Sequence, residues 1–136
     1  MEAALRYASC LMLAALGVML GTLGTFLVPA GIVGGFVGLS ALVAVGGNLF
    51  TGLLGGFGLR STAGAIAPFA GWIVAVGAFV TFSPGGDVVI PGGLPNDPGV
   101  VHAGLTFMAT GLISSLATIV LTSRFTGRVI SPKSLS

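Results

Sequence analysis

The chain has 136 residues, 54% of them hydrophobic and only 6% charged, and five Lys and Arg against three Asp and Glu leave a net charge of +2. A soluble domain carries about a quarter charged residues, so this chain cannot build a water-facing surface, and the composition predicts an all-α integral membrane protein. Charge this sparse and scattered excludes nucleic acid as a partner.

A membrane span needs about 20 mostly apolar residues, and in chain order four stretches qualify. The first apolar run covers about 7–28. It contains the single cysteine, Cys10, which can form neither an internal disulfide nor a cysteine metal site. Tyr7-Ala8-Ser9-Cys10 is not read as a lipoprotein site, because the apolar run follows the cysteine instead of preceding it. The length of the run and the spans after it also argue against a cleaved leader. No charge occurs between Arg6 and Arg60, an interval long enough for two spans. Pro29-Ala30-Gly31 reads as the break between them, which places the second span at about 32–51. Gly52 to Gly58, with four glycines in seven residues, reads as a loose connector. The third span is expected at about 63–82 and the fourth at about 101–123, with a loop at 83–100 between them.

This threading puts Arg6, Arg60, Arg124, Arg128 and Lys133 on one side and no basic residue on the other. Basic residues near span ends stay cytoplasmic. Both termini are therefore expected in the cytoplasm, and the Pro29 turn and the 83–100 loop outside.

In lipid, helices associate through close contact of small residues. The first span carries Cys10, Ala14, Gly17, Gly21 and Gly24 at heptad-like spacing, including the GxxxG motif Gly17-Val-Met-Leu-Gly21. The second carries Gly31, Gly34, Gly38, Ala41, Val45 and Asn48 at similar spacing. These faces predict a tight antiparallel hairpin of the first two spans, with a dimerisation face as the alternative. In the fourth span His102, Thr106, Thr110, Ser114, Thr118 and Thr122 recur every four residues. A step of four advances about 400° on a helix, so the stripe drifts about 40° per step and cannot line one pore face. Ser and Thr also bond back to the helix carbonyls, and local back-bonding is preferred here to a solute path. Pro68, in Ala67-Pro68-Phe69-Ala70-Gly71-Trp72, predicts either a mild kink or a helix that starts late.

Ionisable residues at depth mark ion and proton pathways, and the spans hold no Asp, Glu, Lys or Arg, with His102 at the very edge of the fourth. Asn48 is the one strongly polar side chain at depth, placed near the cytoplasmic end of the second span. There is no phosphate-binding glycine loop with a lysine, no nucleophile–base pair and no cofactor fingerprint. The chain is thus read as no enzyme and as carrying no cofactor. The segment 82–102 is the one candidate site, holding four of the seven prolines, two of the three acids and the single histidine. Asp87, Asp97 and His102 are of the ligand types that bind a divalent cation. The preferred reading is a proline-stiffened connector kept in water by its acids, with partner docking as an alternative. Asn96-Asp97-Pro98-Gly99 reads as a turn into the fourth helix, with Pro98 in its first turn.

At Arg60, Gly64, Pro68, Gly71-Trp72 and Pro84-Gly85-Gly86-Asp87 the chain resembles a family of small four-span actinobacterial membrane proteins known only as a domain of unknown function. The resemblance implies a Gly-Trp in the third span, a Pro-x-Gly-Asp at its outer end, and a bacterial plasma membrane. The family has no established activity, so the resemblance supplies no catalytic residue, but it directs attention to Trp72 and Asp87. The expected function is a structural or accessory subunit of a membrane complex, bound to lipid and to itself or another membrane protein. The alternative is a homo-oligomeric path for small neutral solutes.

Overall fold

The computed structural model describes the backbone of residues 1–33, 38–82 and 98–129, and side chains within 1–29, 38–82 and 102–126. Among these residues the chain is all-helical, with α1 at Glu2–Val33, α2 at Leu39–Gly58, α3 at Thr62–Thr81 and α4 at Pro98–Val129. Each helix is long and apolar enough to cross a membrane.

Local chemistry explains several boundaries. Glu2 lies in the first turn of α1, where a carboxylate favours the positive end of the helix dipole. Pro98 opens α4, a position where its missing N–H is no loss. Ser61 caps α3, with extended backbone and its Oγ accepting from the Ala63 N–H at 3.3 Å. The corner between α2 and α3 is a Schellman turn: the Arg60 N–H bonds the Phe57 carbonyl at 3.3 Å and the Ser61 N–H bonds the Gly56 carbonyl at 3.1 Å. The position after the cap is Arg60, at φ 46°, a left-handed conformation that usually calls for glycine.

Two expected boundaries are corrected. Pro29 does not end α1, because the helix continues through it to Val33. Proline removes one backbone hydrogen bond near the end of a long helix, a loss that apolar helices tolerate. The expected connector at Gly52–Gly58 is the last two turns of α2, so the second span lies seven residues later than expected. Its glycines serve as contact surface. A Cβ at Gly52 would strike the Thr118 side chain, one at Gly56 the Thr122 side chain, and one at Gly55 the Gly64 backbone. Packing therefore outweighs the weak helix propensity of glycine. By contrast α3 begins one residue before its expected span, and α4 contains its expected span and extends it at both ends.

Helix pairing is also corrected. Contact is most extensive between α1 and α3, then between α2 and α4, and the α1–α2 hairpin is looser. The small face of α1 meets α3. Cβ atoms at Gly17 and Gly71 would fall on the carbonyls of Pro68 and Ala14, and one at Gly21 would lie 2.9 Å from the Ala75 methyl. From Gly17 beside Pro68 to Gly21 beside Trp72 and Ala75 the contacts advance along both helices, so the pair is parallel. At Gly24 the neighbour is the Phe107 ring of α4. On α2, Gly38 precedes the helix with no atom within 4 Å of a Cβ and so makes no packing contact, while Gly34 lies outside the described residues. The buried face of α2 is instead formed by Ser40, Ala44, Asn48, Thr51, Gly52 and Gly55.

The interior is small and hydroxylated and the exterior is large and apolar. Thr25, Ser115, Thr118 and Thr122 are buried, while Leu11, Met12, Leu42, Phe50 and Ile113 are exposed. Water favours the reverse distribution. An apolar solvent removes the penalty on the exterior, and small interior residues then allow close backbone approach. A modest apolar core draws on all four helices, built on Val28, Ala44, Trp72, Val76, Ala103 and Phe107.

Candidate functional site

Three helices converge on Gly111, near the middle of α4. From α2, Asn48 donates its Nδ2–H to the Gly111 carbonyl at 3.3 Å. From α3, Trp72 lays its six-membered ring against the Gly111 Cα, where a Cβ would strike the ring. From α4 itself, Ser114 and Ser115 donate to the same carbonyl at 3.0 and 2.8 Å. Trp72 also meets Phe107, one turn earlier on α4, with ring centroids 5.7 Å apart and planes tilted by 49°. Glycine is required at 111 because the indole occupies the place of its side chain.

The depth of Asn48 is a correction. With α2 displaced along the chain, it is the tenth of twenty helical residues and stands mid-helix, not near the cytoplasmic end. Asn48 is 3% exposed and Trp72 is 2% exposed, yet among the described residues the Asn48 Oδ1 and the Trp72 Nε1–H have no hydrogen-bond partner. One is an acceptor and the other a donor. An unpartnered buried polar atom costs about 1–3 kcal/mol, so two of them in one layer mark the place where packing and polarity disagree.

Most of the other buried hydroxyls bond within their own helices. Thr25, Thr51 and Thr122 each donate to the carbonyl four residues earlier at 2.7–2.8 Å, and Thr118 donates to the Ser115 carbonyl at 2.7 Å. The α4 stripe drifts around its helix: His102 and Thr106 are exposed, Thr110 is half-buried, and Ser114, Thr118 and Thr122 are buried. In its buried half Thr118 packs on Gly52 and Thr122 on Gly56 of α2.

Pro68 lies buried one turn before Trp72, and its missing N–H leaves the Gly64 carbonyl without its usual helical partner. That carbonyl is pressed against Gly55 of α2, while the Gly55 carbonyl is pressed against Gly64. Such reciprocal approach places Cα–H groups against oxygens, a weak but recurrent helix–helix contact. His102 is exposed near the start of α4, away from the Gly111 layer. Asp87 and Asp97 lie outside the described residues, and so does the cation site they would make with His102. Among the described residues no cluster of three metal-ligating side chains occurs.

A concavity of about 260 Å³ lies between the start of α1 and the α2–α3 corner and is lined by Arg6, Tyr7, Cys10, Leu59 and Ser61. An apolar groove of about 240 Å³ runs between α3 and α4 past Trp72, Val76, Gly77, Met108 and Leu112. Neither brings together an acid–base pair or an activated nucleophile.

Sequence reasoning singled out Asn48 and Trp72 but not Gly111, which joins them, nor the Gly55–Gly64 contact. A signal was present: Ser40, Ala44, Asn48, Gly52 and Gly56 recur every four residues and continue the small face of α2 past position 51. The site defines a tightly packed four-helix bundle of membrane-spanning dimensions with one neutral polar layer at its centre. The chain matches no family model, no curated protein and no solved structure.

Proposed function

We propose that the protein is a structural or accessory subunit of a membrane complex in a bacterial plasma membrane, with both termini cytoplasmic and the 83–100 loop outside. The observation that carries this reading is the use of the interior. It is filled by backbone-to-backbone contacts at Gly17, Gly55, Gly64 and Gly71, and its hydroxyls are turned back onto their own helices. Such an interior holds helices in place and offers no relay of charges. The exterior is apolar on every helix, and exposed glycines at Gly46 and Gly77 leave room for close approach by another apolar helix. The five basic residues on one side of the threading support the orientation. The resemblance around Trp72 supports the bacterial setting.

Native mass spectrometry of the tagged protein, extracted gently from its own membrane, tests the reading. A second polypeptide at fixed stoichiometry is expected, and its identity would name the process served. A clean isolated monomer counts against the proposal. A homo-oligomer alone favours the alternative, a path for small neutral solutes formed between copies.

A further inference from the structure

We propose that the bundle holds one water molecule between the Asn48 Oδ1 and the Trp72 Nε1–H, beside Gly111. Asn48 and Trp72 are each almost wholly buried, and each carries one polar atom without a partner among the described residues. The Asn48 amide cannot be flipped to remove the problem, because its NH2 group must face the Gly111 carbonyl. Its oxygen therefore points elsewhere and needs a proton.

The nearby protein donors are already committed. Ser114 and Ser115 donate to the Gly111 carbonyl, Thr118 to the Ser115 carbonyl and Thr51 to the Gly47 carbonyl. A hydroxyl has only one proton to give, so the proton for Asn48 Oδ1 comes from outside this set. The indole presents the complementary need, a donor without an acceptor. Both groups flank one residue: Asn48 bonds the Gly111 carbonyl, and the Trp72 Cε2, bonded to Nε1, lies 3.0 Å from where a Gly111 Cβ would stand. A single water both donates and accepts, and buried waters serve this purpose in protein interiors. An ion does not fit, since the layer offers no charge to balance it.

The chain has one tryptophan, so its indole N–H gives a single unambiguous nuclear magnetic resonance signal. The experiment is a rotating-frame Overhauser measurement between that proton and water, on the isotope-labelled full chain in lipid nanodiscs. A cross-peak to water is expected in the native protein, together with resistance of the indole fluorescence to an aqueous quencher. In Asn48→Leu the cross-peak should fall to noise and the emission should shift to the blue. Trp72→Phe gives a second reading, a shift of the Asn48 side-chain amide carbonyl band in the infrared. No water cross-peak in the native protein, or a direct coupling between the indole N–H and the Asn48 carbonyl, overturns the proposal. So does strong quenching from the aqueous phase, which would mean that the contact is with bulk solvent.

Discussion

Replacing Gly17 with alanine tests whether α1 and α3 touch backbone to backbone. The added Cβ would fall on the Pro68 carbonyl oxygen, with the carbonyl carbon at 2.7 Å and the Cα at 2.9 Å. Carbon atoms pack comfortably at about 3.5–4.0 Å, so α1 and α3 must separate locally by roughly an ångström. No flexible side chain can absorb that shift, and separation also loosens the contacts at Gly21 and Gly71. Overpacking of this kind costs about 1–3 kcal/mol, partly offset by up to about 1 kcal/mol of helix propensity gained on leaving glycine. The net expectation for Gly17→Ala is a loss of about 1–2 kcal/mol. Gly46→Ala and Gly77→Ala are the controls, because a Cβ there meets nothing within 4 Å. They should be neutral or gain up to about 1 kcal/mol. Gly24→Ala should fall between, because its neighbour is the Phe107 ring, with Cζ at 2.8 Å, which can move by rotation. Unfolding in mixed micelles titrated with a denaturing detergent, followed by circular dichroism, gives the ranking. Equal stability of Gly17→Ala and Gly46→Ala would refute the close α1–α3 contact.

Other outcomes follow from single contacts. Arg60→Gly relieves a left-handed residue at the α2–α3 corner, where non-glycine residues pay about 1–2 kcal/mol, and should raise stability by up to about 1 kcal/mol in the same titration. Ser61→Ala removes the cap on Ala63 and should cost about 1 kcal/mol. Thr118→Val should change stability by less than about 1 kcal/mol, because the lost hydroxyl bonds only its own helix; a larger loss would mean that it serves another helix. Reporter domains fused at each terminus should both be active only in their cytoplasmic form, and a reporter inserted in the 83–100 loop only in its external form.

What the sequence disclosed depended on which property decided each feature. Spans three and four were legible because apolar length decides them and because Pro98 marks the start of the fourth. The drift of the α4 stripe was legible because it follows from helix pitch alone. Pro29 and Gly52–Gly58 misled because both were read by propensity, and propensity ignores partners. Gly52, Gly55 and Gly56 are explained by Thr118, Gly64 and Thr122, residues farther along the chain that the fold brings against them. The same displacement hid the mid-helix position of Asn48. The small face of α1 was recognised from its spacing, but spacing carries no information about which helix receives it. Gly111 went unnoticed because a lone glycine in an apolar helix has no signature until an indole is found in the place of its side chain.

The central claim is that the interior is packed shut and serves to hold helices together. Flux of glycerol and urea into liposomes carrying the purified protein tests it most directly. The account predicts uptake equal to that of protein-free liposomes. Saturable uptake that falls when Asn48 is replaced by leucine would contradict it, and would make the polar layer at Gly111 part of a path.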